Sequence, residues 1–141
     1  MNKNYGFILE TTAKMLKQTL QRRFNRQKIE ITVDQWILLS EIFYDQNINQ
    51  VELCEKVYKD APTVTRMLVL LQREGYLERV NSQLDKRRFD LKLTTKGQEL
   101  IKKTLPLVHD FRKDGWRGLD DDDMNHLYRI ANKISENLLR G

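Results

Sequence analysis

The sequence predicts a mainly α-helical fold with a small β-hairpin: a winged helix-turn-helix flanked by N- and C-terminal dimerisation helices. Three observations lead there. Apolar residues recur at helical spacing along most of the 141 residues, and only two prolines and six glycines interrupt them. Between Tyr76 and Leu93 the apolar period changes from 3.6 to 2, the signature of paired strands. Three short helical segments precede that hairpin, in the order of a winged helix-turn-helix.

The first helix covers Tyr5 to Phe24, with Ile8, Leu9, Met15, Leu16 and Leu20 on the same face. A second starts at Thr32, where Thr-Val-Asp-Gln forms a capping box; it turns Trp36, Leu39, Ile42 and Phe43 inward and stops before Asp45. A short third opens at Asn49 and reaches Tyr58. The fourth opens at cap Asp60, takes Pro62 in its first turn where no helical N–H bond is lost, and ends at Glu74-Gly75. Alternating Tyr76–Val80 and Phe89–Leu93 form the hairpin, joined by the polar stretch Asn81–Arg88. Thr94-Thr95 caps a fifth helix bearing Leu100, Ile101, Leu105, Val108 and Phe111, and Pro106 predicts a kink within it. The last helix begins with Leu119 before cap Asp120 and Met124 beyond it, a hydrophobic staple. Asp121, Asp122 and Asp123 suit the positive end of its dipole, which makes the acidic run a cap rather than a metal cluster. Leu127, Ile130, Ala131, Ile134 and Leu138 give it an apolar stripe.

The length suits a single domain, residues 1–141, with the winged unit at 32–95. Segments 1–28 and 96–141 are expected to dimerise, because their apolar faces need cover and a second copy offers the same faces. The longest apolar run, Met67 to Leu71, is far too short for a membrane span, and the first residues lack an apolar signal core. A cytoplasmic protein without membrane contact is expected. One cysteine, Cys54, and two histidines 17 positions apart offer no metal-ligand spacing. Cys54 is expected to serve as a small buried hydrophobe. No nucleophile–base pair, phosphate loop or paired carboxylates appear, so neither catalytic residues, metal nor cofactor are expected.

Charge is distributed in blocks. The net charge of +5 resolves into +5 over residues 1–32, −4 over 33–62, +5 over 63–103 and −1 over the rest. A basic block is a solvated face or the footprint of a polyanion binder, and local pattern decides. Around the fourth helix, Val64, Leu68 and Leu71 fall on one side. The opposite arc holds Pro62, Thr65, Arg66, Val69 and Arg73, with Thr63 and Leu70 at its edges. Arginine bonds guanine O6 and N7 together, and threonine serves phosphate or the thymine methyl, so this face suits a major groove. Gln50, opening the third helix, joins the same set. At the hairpin tip, Lys86, Arg87 and Arg88 stand beside Asp85, placed to reach phosphates or a narrow minor groove, and an Asp85–Arg87 pair would hold the tip in shape. The 32–95 unit then reads as the DNA-binding unit.

These stretches resemble the MarR-type bacterial transcriptional regulators. Ala61-Pro-Thr-Val-Thr-Arg-Met and Leu71-Gln-Arg-Glu-Gly-Tyr-Leu-Glu-Arg-Val80 are similar to that family's recognition helix and first wing strand. Asp85-Lys-Arg, then Leu93-Thr94-Thr95-Lys-Gly97, is similar to its wing signature. The resemblance implies a homodimer on a pseudo-palindromic double-stranded operator, with Arg87 directed at the minor groove and Asp85 orienting it. It also implies a repressor relieved by a small aromatic or phenolic effector, for which Phe24, Trp36, Phe43 and His109 are the candidate pocket. Peroxide sensing through a cysteine near the start of the first helix is not implied, since none stands there. The alternative reading is a winged-helix protein–protein adaptor that binds no DNA.

Overall fold

The computed structural model describes residues 3–85 and 87–141; Lys86 lies outside the described residues. The elements follow the expected order: α1 (Tyr5–Arg26), α2 (Val33–Tyr44), α3 (Gln50–Val57), α4 (Ala61–Arg73), β1 (Leu77–Asn81), β2 (Phe89–Leu93), α5 (Thr95–Gly115) and α6 (Asp121–Arg140). The chain forms two compact units, one reaching Val108 and the other running from His109 to Gly141.

In the first unit the helix starts are set by local chemistry. Gln35 N–H donates to the Thr32 hydroxyl at 3.1 Å and Thr32 N–H to the Gln35 side-chain Oε1 at 2.9 Å, the capping box of α2. Asn49 and Asp60 accept from Glu52 and Thr63 N–H at 2.9 and 2.8 Å, starting α3 and α4. Phe24, Trp36, Leu39, Ile42, Leu53, Val64, Leu68, Leu71, Leu77, Leu91 and Ile101 are buried together with Val108. Phe24 and Trp36 meet edge to face with ring centroids 6.2 Å apart. Trp36 Nε1–H donates to the buried Thr104 hydroxyl at 2.7 Å, satisfying both polar groups inside the core. α5 stays helical across Pro106.

β1 and β2 pair antiparallel with Leu77 opposite Leu93, and Asn49 adds a bridge to Asp90. The base of this wing explains the Leu-Thr-x-x-Gly pattern. α4 is followed by Gly75 in the left-handed region at φ +84°, which turns the chain into the wing. Thr94 then ties the far end back: its hydroxyl donates to the Gly75 carbonyl at 2.6 Å and its N–H to the Tyr76 carbonyl at 3.1 Å. The same hydroxyl oxygen accepts Gly97 N–H at 3.1 Å, and Lys96 donates to the Glu74 carbonyl at 2.6 Å. A Cβ at Gly97 would overlap the Tyr76 carbonyl, so this approach of α5 to the wing base requires glycine.

In the single chain Tyr5, Ile8, Leu9 and Met15 are about half or more exposed, and only Leu20 and Phe24 of α1 are buried. Two expectations change. Phe43 is half-buried, because it sits at the rim of a cavity rather than in the core. Cys54 is likewise half-buried rather than a core residue, because it borders the cleft between α3 and the wing.

In the second unit, Asp120 accepts Asp123 N–H at 2.8 Å and Asp123 returns a bond to Asp120 N–H at 3.0 Å. The acidic run therefore includes a reciprocal helix cap. No residue of α6 is buried, and Leu127, Ile130, Ile134 and Leu138 are exposed.

Candidate nucleic-acid interface

α4 divides as its periodicity requires. Val64, Leu68 and Leu71 are buried, Pro62, Arg66, Val69 and Arg73 are exposed, and Thr63 and Thr65 are half-buried at the margins. Its first turn is a linked set of hydrogen bonds. The main-chain N–H of Thr63 and then its hydroxyl bond Asp60, and with Arg66 nearby they hold that carboxyl below the usual carboxylate range. Thr63 Oγ1 also accepts from Arg66 Nη2 at 3.2 Å. The guanidinium of Arg66 is thereby tethered at the helix start while its remaining donors face solvent.

Gln50 reaches α4 from the first turn of α3, its Nε2 donating to Thr65 Oγ1 at 2.7 Å. Its Oε1 accepts from Arg79 Nη2, on β1, at 3.3 Å. The Arg79 guanidinium lies over the Phe89 ring, 4.4 Å from the centroid. The sequence reading did not single out Arg79. Its signal was a cation two residues after buried Leu77, and so on the same face of β1.

The wing tip is wired by Ser82 and Asp85. Buried Ser82 accepts from Leu84 and Asp85 N–H at 3.2 and 3.4 Å and donates its own N–H to the Arg88 carbonyl at 2.9 Å. Arg88 N–H closes the turn on the Asp85 carbonyl at 3.0 Å. The Asp85 carboxylate accepts the main-chain N–H of Arg87 at 3.0 Å, and its ion-pair partner is Arg88, at 3.8 Å. The expected side-chain pair with Arg87 is thus a main-chain bond, because an aspartate bonds the N–H two residues on more readily than a long side chain folding back. Lys86 falls outside the described residues. Ser82 was also missed: a lone serine in a polar loop looks like any turn residue until its neighbours' N–H groups converge on it.

Gln50, Thr65, Arg79, Arg87, Arg88 and Phe89 line one cleft of about 430 Å3, with Cys54 at its edge. Burial pushes the Cys54 thiol up, the reverse of what a reactive thiolate needs. A second cavity, about 550 Å3, is bordered by Phe43, Gln46, Lys92, Leu93, Gln98 and Lys102. The four residues named as an effector pocket are not gathered there. Phe24 and Trp36 occupy the core, Phe43 borders the cavity, and His109 is exposed in the second unit.

A three-helix unit with a basic outward helix and an arginine-tipped hairpin defines a winged helix-turn-helix protein. Residues 31–89 match the sequence profile of the MarR family. The transcriptional repressor MprA of Escherichia coli is 28% identical over 131 residues, covering 93% of this chain and 70% of MprA. A cysteine-to-serine mutant of MarR from E. coli, solved with operator DNA, is 28% identical with a TM-score of 0.74, covering 94% of this chain and 99% of that one. The S. aureus MepR–DNA complex shares the fold at a TM-score of 0.86 and 19% identity, over 97% and 99% of the two chains. Among the described residues no helix is long and apolar enough to cross a membrane.

Proposed function

We propose that this protein is a homodimeric, sequence-specific double-stranded DNA-binding transcriptional repressor. The observation that carries the reading is the convergence of Gln50 and Thr65, from two helices, with Arg87 and Arg88 of the wing along one cleft. A duplex seated on that surface meets α4 in its major groove, with Arg66 and Arg73 reading bases or phosphates and Pro62, Thr63 and Thr65 packing beside them. Gln50, on the same cleft, braces α4 through Thr65. Arg87 enters the neighbouring minor groove from a turn whose shape Asp85 sets, while Lys86 and Arg88 supply phosphate charge. MprA, a repressor, and E. coli MarR, solved with operator DNA, support the same assignment.

Dimerisation is supported by the exposed apolar residues of α1 and of α6, which water disfavours and an identical face covers. Residues 1–28 and 96–141 then hold two winged units for a pseudo-palindromic operator. Relief by a small aromatic or phenolic effector is supported by the cavity beside Phe43. On this reading the protein acts in the cytoplasm, where its DNA is, and catalyses nothing.

The test is a titration of the full chain with duplexes selected from a random pool. Affinity should fall steeply with salt, as released phosphate counterions require. Arg66→Ala should weaken the preferred duplex by about 1–3 kcal/mol and relax preference at one base pair. A salt-independent association, or none, would leave the adaptor reading standing.

A further inference from the structure

Arginine carries five N–H donors and no acceptor. Wherever it meets an amide side chain, the amide must turn its oxygen toward it. Gln50 faces Arg79 on one side and the Thr65 hydroxyl on the other, at 3.3 and 2.7 Å. Its oxygen is therefore committed to Arg79 and its NH2 to Thr65. Thr65 Oγ1 then accepts, and its hydroxyl hydrogen has no acceptor among the described residues.

Arg79 has little freedom to abandon this role. Its guanidinium is stacked on Phe89 at 4.4 Å, and its Nε is buried with no partner among the described residues, so the group is held largely by the ring and by Gln50. Thr63, two residues earlier on α4, shows the contrast. Its hydroxyl bonds Asp60 while accepting from Arg66, so both of its capacities are engaged within the helix start.

We propose that Arg79 is a positioning and specificity-determining residue: acting through Gln50, it fixes the hydrogen-bond polarity of Thr65, so that α4 presents this hydroxyl to DNA as a donor. The proposal rests on the DNA-reading function above. It specifies what Thr65 selects. A donor pairs with guanine O6 or N7, adenine N7, thymine O4 or a phosphate oxygen, and it rejects the amino edge of cytosine. It also couples the two halves of the interface, because the wing strand that carries Arg79 sets the chemistry of the reading helix.

The experiment compares affinity for a selected duplex with affinity for random duplex, in the full-length chain. Thr65→Val keeps the shape and removes the hydroxyl; Arg79→Met keeps an unbranched chain against Phe89 and removes the donors. Thr65→Val should lower the selected-to-random ratio about tenfold, near the effect of one hydrogen bond, and Arg79→Met about fivefold. The double variant should lose no more than Thr65→Val alone, because both changes remove one coupled interaction. Gln50→Glu, whose carboxylate accepts from both neighbours and so turns the Thr65 hydroxyl inward, should lose the ratio to the same extent while sparing wing packing. Multiplicative losses in the double variant, or equal weakening on selected and random duplexes, would overturn the proposal.

A readout without DNA separates it from the parent reading. The Gln50 side-chain amide protons should resonate away from solvent-exposed values in the free protein and move toward them in Arg79→Met. Amide signals unchanged by Arg79→Met would refute the relay even where the protein discriminates duplexes. A protein that shifts these signals but discriminates no duplex would overturn the DNA reading, and with it the proposed role.

Discussion

Adding one methyl group at Gly97 should destabilise this protein more than its position near a helix start suggests. The new Cβ would overlap the Tyr76 carbonyl oxygen, which belongs to main chain and cannot rotate aside as a flexible side chain can. α5 must therefore move back from the wing base. That movement strains the Thr94 N–H bond to Tyr76 at 3.1 Å and the Thr94 hydroxyl bond to Gly75 at 2.6 Å. Overpacking of this kind costs about 1–3 kcal/mol. Each loosened hydrogen bond adds about 1 kcal/mol. The better helix propensity of alanine returns about 1 kcal/mol. The net loss is about 3 kcal/mol, roughly 10 °C in Tm for a chain of this size. The assay is urea and thermal unfolding at fixed protein concentration, since melting of a dimer shifts with concentration. Gly115→Ala is the control: nothing lies within 4 Å of a Cβ there, and its φ is not positive. It should leave stability unchanged or slightly raised. A Gly97→Ala protein as stable as the Gly115→Ala protein would refute the close-approach account of the Leu-Thr-x-x-Gly pattern.

Two further outcomes follow from the ionisable groups. The Asp60 carboxyl is held below its usual range chiefly by Thr63 N–H, so its contribution to α4 is full above the ordinary aspartate pKa and is lost as pH falls through the lowered folded value. Asp60→Asn caps nearly as well without titrating; in unfolding measured across acid pH, any stability advantage of wild type over it should shrink as the solution is acidified, and an advantage that grows would contradict the assignment. Cys54, whose thiol burial pushes up, should react with iodoacetamide at neutral pH more slowly than a free cysteine and should speed up only as pH rises past the ordinary thiol range. Alkylation faster than the free amino acid would mark an activated thiolate.

Much of this molecule is written in local sequence. Thr32 with Gln35 is legible because a capping box depends on residues three apart, and so is Asp120 as a cap; the structure forms both, adding a return bond from Asp123 to Asp120 N–H. The two faces of α4 are legible because helical periodicity alone separates Val64, Leu68 and Leu71 from Arg66 and Arg73. The wing is legible because its strands alternate. What depended on long-range approach was not. Arg79 and Gln50 are 29 residues apart, and no periodicity links a strand cation to the first turn of a helix two elements earlier. Trp36 and Thr104, 68 residues apart, looked like an aromatic pocket residue and an ordinary helix threonine until the fold joined them as a satisfied buried pair. The partner of Asp85 was decided by the turn, which brings the Arg87 main chain and the Arg88 side chain to its two oxygens. Sequence fixes a residue's chemistry and its place on an element, because those follow from side-chain type and backbone period. Which groups then meet is set by how the elements pack, and only there do Arg79, Gln50 and Thr65 become one unit.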